Sequence, residues 1–236
     1  MSKKIHTIQS SDKKEFDKLV NQHLEQGWDL VEGSYSVLEG VGYTQVVILN
    51  KSGFNHFEFF DNGLIKEKGN YKDGNEDGLW TTWYENGQKT SEGIWKDNEP
   101  NGLLPFWYPN GKKESETIYK NGEKDGLENW WYDNGQKKRE GTYKDGERDG
   151  LWTRWYENGQ KSSEETWKDG DRDGVEIEWK KNGQKKSEWT YKDGNADGKW
   201  TKWYKNGQKE EVQTYKDGHL ILYQCWDKDG NEKECY

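Results

Sequence analysis

The sequence predicts a mainly β protein, an elongated antiparallel β-meander array of 24-residue hairpin units preceded by a small β-α-β-β domain. Three observations carry that prediction. First, Gly63, Gly87, Gly111, Gly135, Gly159, Gly183 and Gly207 each follow an asparagine and recur every 24 residues. Second, two more glycine series keep the same step: Gly74, Gly122, Gly146, Gly170, Gly194 and Gly218, with Asn98 in the one gap, and Gly78, Gly102, Gly126, Gly150, Gly174 and Gly198. An unbroken period of this length is the signature of a repeat array, read unit by unit. Third, aromatic and β-favouring residues flank each Asn-Gly, and the repeats show no helical periodicity.

The first element is the segment 1–52, where the period is absent. Residues 3–9 alternate like a strand. Residues 11–27 read as a helix, with Ser11 or Asp12 as N-cap, Glu15 in the first turn and Gly27 as its stop. Phe16, Leu19, Val20 and Leu24 fall on one face of it. Strands are expected at 28–38 and 43–50, joined around Glu39-Gly40. So short a segment buries little surface. It is therefore expected to dock on the first repeat, to self-associate with a second copy, or to grip a partner.

Residues 53–236 form about seven units, the last atypical and capping. Each unit reads as two strands and two turns. Asn86-Gly87 is expected to form a two-residue type I′ turn, which needs positive φ at both residues. That turn sets Tyr84 opposite Lys89, Trp83 opposite Thr90 and Trp80 opposite Gly93, with the Trp80 ring over the bare backbone of Gly93. One face then collects Trp80, Tyr84 and Trp95, and the other Leu79, Trp83 and Ile94. The connection 144–150, which carries Gly146 and Gly150, reads as a longer loop.

Two aromatic columns follow from the period. Trp83, Trp107, Trp131, Trp155, Trp179 and Trp203 fill one, and Tyr71, Trp95, Tyr119, Tyr143, Trp167, Tyr191 and Tyr215 fill the other. A unit this small cannot bury its rings alone, so neighbours must cover one another. The second column is assigned to the core. The first is the candidate binding surface, because exposed aromatic stripes mark partner or glycan contacts.

The run Glu140-Gly141-Thr142-Tyr143-Lys144-Asp145-Gly146-Glu147-Arg148-Asp149-Gly150 resembles the membrane-occupation-and-recognition-nexus (MORN) repeat. The fuller "GLWTRWYENGQKSSEETWKDGDRDG" is similar to the MORN-variant repeat of bacterial YwqK-family antitoxins. The resemblance covers roughly residues 55–236. It implies scaffolding and, through the antitoxin name, neutralisation of a partner toxin. In some MORN proteins it also implies lipid contact. The β-α-β-β segment, with Gly27-Trp28-Asp29-Leu30-Val31 after its helix, resembles a small bacterial domain of unknown function and implies no chemistry.

Composition narrows the function classes. Charged residues make up 34% of the chain and hydrophobic ones 29%, a balance typical of disorder, but 15 Trp, 14 Tyr and 6 Phe argue for a thin aromatic core. A net charge of −9 opposes nucleic acid and anionic membranes. No apolar run reaches membrane-span length and the N-terminus lacks a signal-peptide stretch, so a cytoplasmic location is expected.

Catalysis finds no support in the sequence. His6, His23, His56 and His219 are scattered, and no nucleophile or phosphate-loop motif is present. The recurring Glu92, Glu116, Glu140, Glu164 and Glu188, and the lysines from Lys72 to Lys216, are read as cross-strand or cross-unit charge pairs. Asp169, Asp171, Asp173 and Gly174 match the start of a calcium loop, as do Asp73 to Gly78 and Asp193 to Gly198. Their twelfth positions are Lys180, Tyr84 and Tyr204 instead of glutamate. Good turn formers explain the match, so no metal and no cofactor are expected. Cys225 and Cys235 flank the last hairpin: a three-residue loop centred on Gly230 would set them opposite each other for a disulfide, a two-residue Asp229-Gly230 turn would put them on opposite faces, and a cytosol would keep the thiols reduced.

The chain thus reads as a non-catalytic protein-binding scaffold, with an antitoxin-like inhibitor that occludes a partner as its sharpest form. A small-ligand or glycan binder using the aromatic columns is the first alternative, and a membrane-associated MORN-type scaffold the second.

Overall fold

A computed structural model describes residues 5–10, 29–38, 42–48, 56–62 and 64–235. Two compact units divide the chain, Met1–Gly111 and Lys112–Tyr236. The first holds a three-stranded sheet of β1 (Ile5–Ser10), β2 (Asp29–Leu38) and β3 (Gly42–Ile48), in the order β1-β3-β2. Both pairings are antiparallel, so β1 and β2 run parallel on either side of β3. The strands match the sequence expectation. The helix expected at 11–27 and the boundary at 52 lie outside the described residues.

From His56 onward the described residues form strands and turns, hairpin after hairpin, and each strand is antiparallel to its neighbours. The hairpin Gly78–Trp83 with Lys89–Lys96 shows how the unit is built. Trp80 stands opposite Gly93, as the sequence predicts, but by a different route. Of Asn86 and Gly87 only Gly87 takes a positive φ, 81°. Gly87 N–H donates to Tyr84 O at 2.9 Å and Tyr84 N–H to Gln88 O at 2.8 Å. This is a three-residue loop ending in a left-handed glycine, not a type I′ turn. It pairs Trp83 with Lys89, one place from the expected register, and the extra residue Thr90 on the return strand restores Thr82 opposite Ser91. The two irregularities cancel.

The type I′ turn is at the other connection. Asp145 (φ 48°) and Gly146 (φ 81°) are both left-handed, and Lys144 pairs with Glu147 directly across them. The longer loop expected at 144–150 is therefore a two-residue turn, followed by a bulge at Gly150. Among the described residues the eight non-glycine residues with positive φ all occupy this turn, and each is Asp or Asn. Those side chains tolerate the left-handed region best.

The buried row runs through the position of Trp80 in four successive repeats and gives way to half-buried Glu176 and Trp200 in the next two. Trp80, Leu104, Glu128 and Trp152 are all buried, Trp152 to 1% exposure. Here the sequence reading needs correcting. The Trp80 ring does not lie over Gly93 but over Gly69, where an added Cβ would come within 2.1 Å of it. Gly93 lies instead beneath Leu104, and Gly141 beneath Trp152. The side chain leans back onto the preceding hairpin, so successive hairpins within each compact unit are joined through their cores. A hairpin alone would leave that ring in water.

Candidate functional site

The residues of the repeated sentence are largely occupied in joining one unit to the next. Asn86 Oδ1 accepts the N–H of Gln88 at 3.0 Å, bracing its own turn, while its Nδ2 donates to Pro109 O of the next turn at 2.8 Å. Asn158 and Asn206 do the same to Lys181 O and Lys228 O. An aspartate could make the first bond but not the second, because it has no N–H. The tyrosine of the motif is a second tie. Tyr84, Tyr132, Tyr156 and Tyr204 donate their hydroxyls to Trp107 O, Trp155 O, Trp179 O and Trp226 O at 2.7–2.9 Å. Lys180 replaces the tyrosine once, and its Nζ donates to Trp203 O and Tyr204 O in the same place. On the opposite margin Gly146, Gly170, Gly194 and Gly218 donate N–H to carbonyls of the preceding unit. Asn98, in the gap of that glycine series, donates to Glu76 O at 3.1 Å.

The candidate binding column, Trp83, Trp107, Trp131, Trp155, Trp179 and Trp203, is half-buried along its length. Lysines of the preceding hairpin lie over four of these rings: Lys68 over Trp83, Lys113 over Trp131, Lys137 over Trp155 and Lys185 over Trp203, at 5.5–5.7 Å. Three of those lysines also hold the recurring glutamates. Lys113 reaches Glu116 at 2.7 Å, Lys185 reaches Glu188, and Lys137 reaches Glu140; Lys89 and Lys161 likewise hold Glu92 and Glu164. The pairing is along one strand and not across strands, because the bulge after the turn brings residues three apart onto one face. Cross-unit and cross-strand pairing does hold for part of the lysine series, with Lys144 near Asp169 and Lys216 on Asp197 at 2.9 Å.

The second column packs on the core face. Tyr71 meets Trp80 edge-on at 5.1 Å, Tyr143 meets Trp152 at 5.0 Å, and Tyr191 stacks on Trp189. Tyr71 is exposed, while Trp95, Tyr119, Tyr143, Trp167, Tyr191 and Tyr215 are half-buried. Arginines interleave with these rings: Arg148 lies over both Trp152 and Trp167, and Arg172 over Trp167 and Tyr191. They serve carboxylates set in the same layer. Glu128, 0% exposed, is held by Lys124 Nζ at 2.7 Å and Arg139 at 2.8 Å. Burial works to lower the Lys124 ammonium, but the hydrogen bond and charge of Glu128 outweigh it and hold its pKa above the usual lysine value. Glu165 is held by Arg154, with the Trp167 indole N–H donating to its other oxygen at 3.1 Å. Glu176 has Arg172 at 3.4 Å, yet burial, with Glu165 and Glu178 nearby, pushes its carboxyl above the ordinary range. These charges belong to the core; neither a nucleophile paired with a base nor an open carboxylate pair is formed by them.

The remaining sites are simpler. Asp169, Asp171 and Asp173 line a small surface depression with Lys168 and Asp193. Among the described residues no three metal-binding side chains are grouped to hold an ion. Cys225 and Cys235 are joined by a disulfide. The loop of this hairpin is 228–230, however, so Cys225 faces Lys233 and the bond runs diagonally to Cys235. His56 Nε2 lies 3.1 Å from Glu67 and packs against Trp80, and His219 is exposed.

What the sequence reading missed is an exposed aliphatic row. Ile118, Leu127, Leu151 and Val175 are exposed along the second unit, Leu151 by 54%. Leu127 stands opposite Thr142, Leu151 opposite Thr166 and Val175 opposite Thr190. By strand alternation the row shares its face with Trp131, Trp155 and Trp179. The signal was present. The residue after the first five bulge glycines is Leu79, Leu103, Leu127, Leu151 and Val175 in a chain otherwise poor in aliphatic residues, and the row ends where Lys199 follows Gly198.

Six consecutive segments, 76–97, 100–121, 124–145, 148–169, 172–193 and 196–217, match the MORN repeat variant, and together they make up more than half of the chain. The chain belongs to the MORN repeat variant family. MORN repeats are non-enzymatic scaffolds and protein-interaction modules. Each matched segment contains one Asn-Gly loop with its two strands, so the family unit is the hairpin described above. No curated protein matches the chain.

Proposed function

We propose that this MORN chain is a non-catalytic scaffold that binds one protein partner across the aliphatic row of its second unit and occludes that partner's working surface. The carrying observation is the row Ile118, Leu127, Leu151 and Val175, left in water by a chain with few aliphatic residues to spare. Apolar side chains aligned on a rigid sheet are the usual anchor of a partner contact. The half-buried tryptophans beside them add contact area at its margin, and the acidic turns form a rim that favours a basic target. Antitoxin-like neutralisation by steric masking is the form of activity that fits, because it requires contact alone. We place this action in the cytoplasm, with residues 1–52 as a separate domain. The glycan reading has less support: a sugar stacks on an open ring face, and lysines lie over Trp83, Trp131, Trp155 and Trp203.

The test is affinity capture from native lysate with the full chain and with a Leu127→Lys/Leu151→Lys variant, both quantified by mass spectrometry. A stoichiometric protein retained by the parent and lost by the variant is the expected result. Equal retention by both removes the aliphatic row from the proposal.

A further inference from the structure

The last long strand, His219–Trp226, departs from the repeat in a directed way. At the corresponding place the other units read Asn75-Glu76-Asp77-Gly78, Glu99-Pro100-Asn101-Gly102, Glu123-Lys124-Asp125-Gly126, Glu147-Arg148-Asp149-Gly150, Asp171-Arg172-Asp173-Gly174 and Asn195-Ala196-Asp197-Gly198. The final unit reads His219-Leu220-Ile221-Leu222. The charges and the left-handed bulge glycine are gone together, and only a one-residue slip against Lys209–Lys216 remains.

The side chains installed there are not buried. Leu220, Ile221, Leu222 and Tyr223 are all exposed, Ile221 by 64%. Earlier strands of this unit have a neighbour on both edges; Glu147–Trp155, for example, lies between Lys137–Lys144 and Lys161–Lys168. His219–Trp226 pairs along one edge with Lys209–Lys216, and on the other Glu232–Lys233 covers Cys225 and Trp226 alone. Over 219–224 the second edge has no strand partner among the described residues. Proteins ordinarily guard such an edge with charges, bulges or prolines. Here the charges have been replaced by aliphatic residues and the bulge is reduced to a one-residue slip, at the strand whose second edge is uncovered among the described residues.

We propose that residues 219–224 are a strand-addition site for a second copy of this chain, the two strands pairing antiparallel about a twofold axis. The occupant follows from charge and from continuity. Each copy carries a net charge of −9, so most of its surfaces repel a twin, but 219–224 contains no Asp, Glu, Lys or Arg. Antiparallel pairing within this window sets Leu220, Ile221, Leu222 and Tyr223 against one another without opposing like charges. The joint also continues the contact already used between successive hairpins, strand edge to strand edge with apolar side chains on both faces. It is isologous, so it closes at a dimer and does not polymerise.

Sedimentation velocity of the full chain, from roughly 1 to 100 µM in physiological salt, is the first measurement. A monomer–dimer equilibrium is expected. Two variants follow: Ile221→Lys, at the most exposed position, and the triple Leu220→Arg/Ile221→Asp/Leu222→Gly, which restores the wording of 172–174. Each should weaken dimerisation by at least about ten-fold while the far-ultraviolet spectrum is unchanged. If the triple variant unfolds, the single one carries the test. A parent that is monomeric throughout the range overturns the proposal. So does a dimer that both variants retain, which would place self-association elsewhere.

Discussion

Gly141→Ala isolates the joint between units. Gly141 does not take a positive φ, so alanine fits its backbone. With no neighbour nearby, replacing a strand glycine would stabilise the fold by about 0.4–1 kcal/mol, because alanine restricts the unfolded chain. The structure reverses that sign. A Cβ on Gly141 would lie 2.1, 2.3 and 2.6 Å from three ring carbons of Trp152, where ordinary contact is 3.4–4 Å. The ring must therefore move by more than an ångström, and it is held on several sides. Its N–H donates to Thr142 O at 3.2 Å, Tyr143 meets it edge-on and Arg148 lies over its face. Overpacking of this kind costs about 1–3 kcal/mol, and losing the indole hydrogen bond adds about 1. Set against the gain of about 0.4–1 kcal/mol from restricting the unfolded chain, the net expected loss is about 1–3.6 kcal/mol. If the ring is expelled altogether, about 150–250 Å² of lost burial sets a ceiling of about 4–6 kcal/mol.

Repeat arrays unfold unit by unit, so a single global midpoint is the wrong readout. Native-state hydrogen exchange should show the loss concentrated in Lys137–Lys144 and Glu147–Trp155, with smaller effects two hairpins away. Adding Trp152→Ala should cost less in the Gly141→Ala background than in the parent, since the two changes share one contact. A Gly141→Ala protein as stable as its parent, or more stable, would refute the account of how units are joined.

Further expectations rest on single contacts. Glu128→Ala leaves the half-buried Arg139 and Lys124 without their buried carboxylate and should cost up to about 3–5 kcal/mol, read by native-state hydrogen exchange of Glu123–Trp131 and Lys137–Lys144, more than any exposed Glu→Ala in the array. Tyr156→Phe removes the hydroxyl bond to Trp179 O and should cost about 0.5–1.5 kcal/mol, whereas Lys180→Tyr should be tolerated because it restores the tie found in the other units. Asn158→Asp keeps the brace on Gln160 N–H but loses the donor to Lys181 O, and should destabilise by a similar amount. Glu176 has a folded pKa above that of an unfolded glutamate, chiefly through burial. The folded state therefore binds its proton more tightly, and this group's contribution falls as pH rises from the ordinary glutamate value through the raised one. Glu176→Gln should flatten that part of the stability–pH curve and leave the neutral-pH protein no less stable than the parent. A variant curve parallel to the parent's would show that Glu176 titrates normally.

How far the sequence could be read depends on which contacts are local. The period, the strand positions and the pairing of Trp80 with Gly93 follow from turn chemistry and alternation, which act within one unit. The assignment of turn types was inverted because Asn-Gly and Asp-Gly both suit a type I′ turn in isolation. What distinguishes them is the brace from Asn86 Oδ1 to Gln88 and the reach of its Nδ2 to Pro109, and the second lies in the next unit. The direction in which Trp80 leans was hidden for the same reason, since Gly93 and Gly69 are equally bare and only the stacking of units chooses between them. The recurrence of the tryptophans alone suggests a binding column. Recurrence in an array reports first on what joins the hairpins, whereas the aliphatic residue after the first five bulge glycines reads in sequence like any buried strand residue.

The central claim is that the repeated motif builds the scaffold and the aliphatic row contacts the partner. Hydrogen exchange on the captured complex tests it most directly, compared with the free full chain. The account predicts new protection at Ile118, Leu127 and Leu151 and in the strands beside them, with the Asn-Gly turns unchanged. Protection confined to the turns, or to residues 1–52, with the row still exchanging as in the free chain, would contradict it.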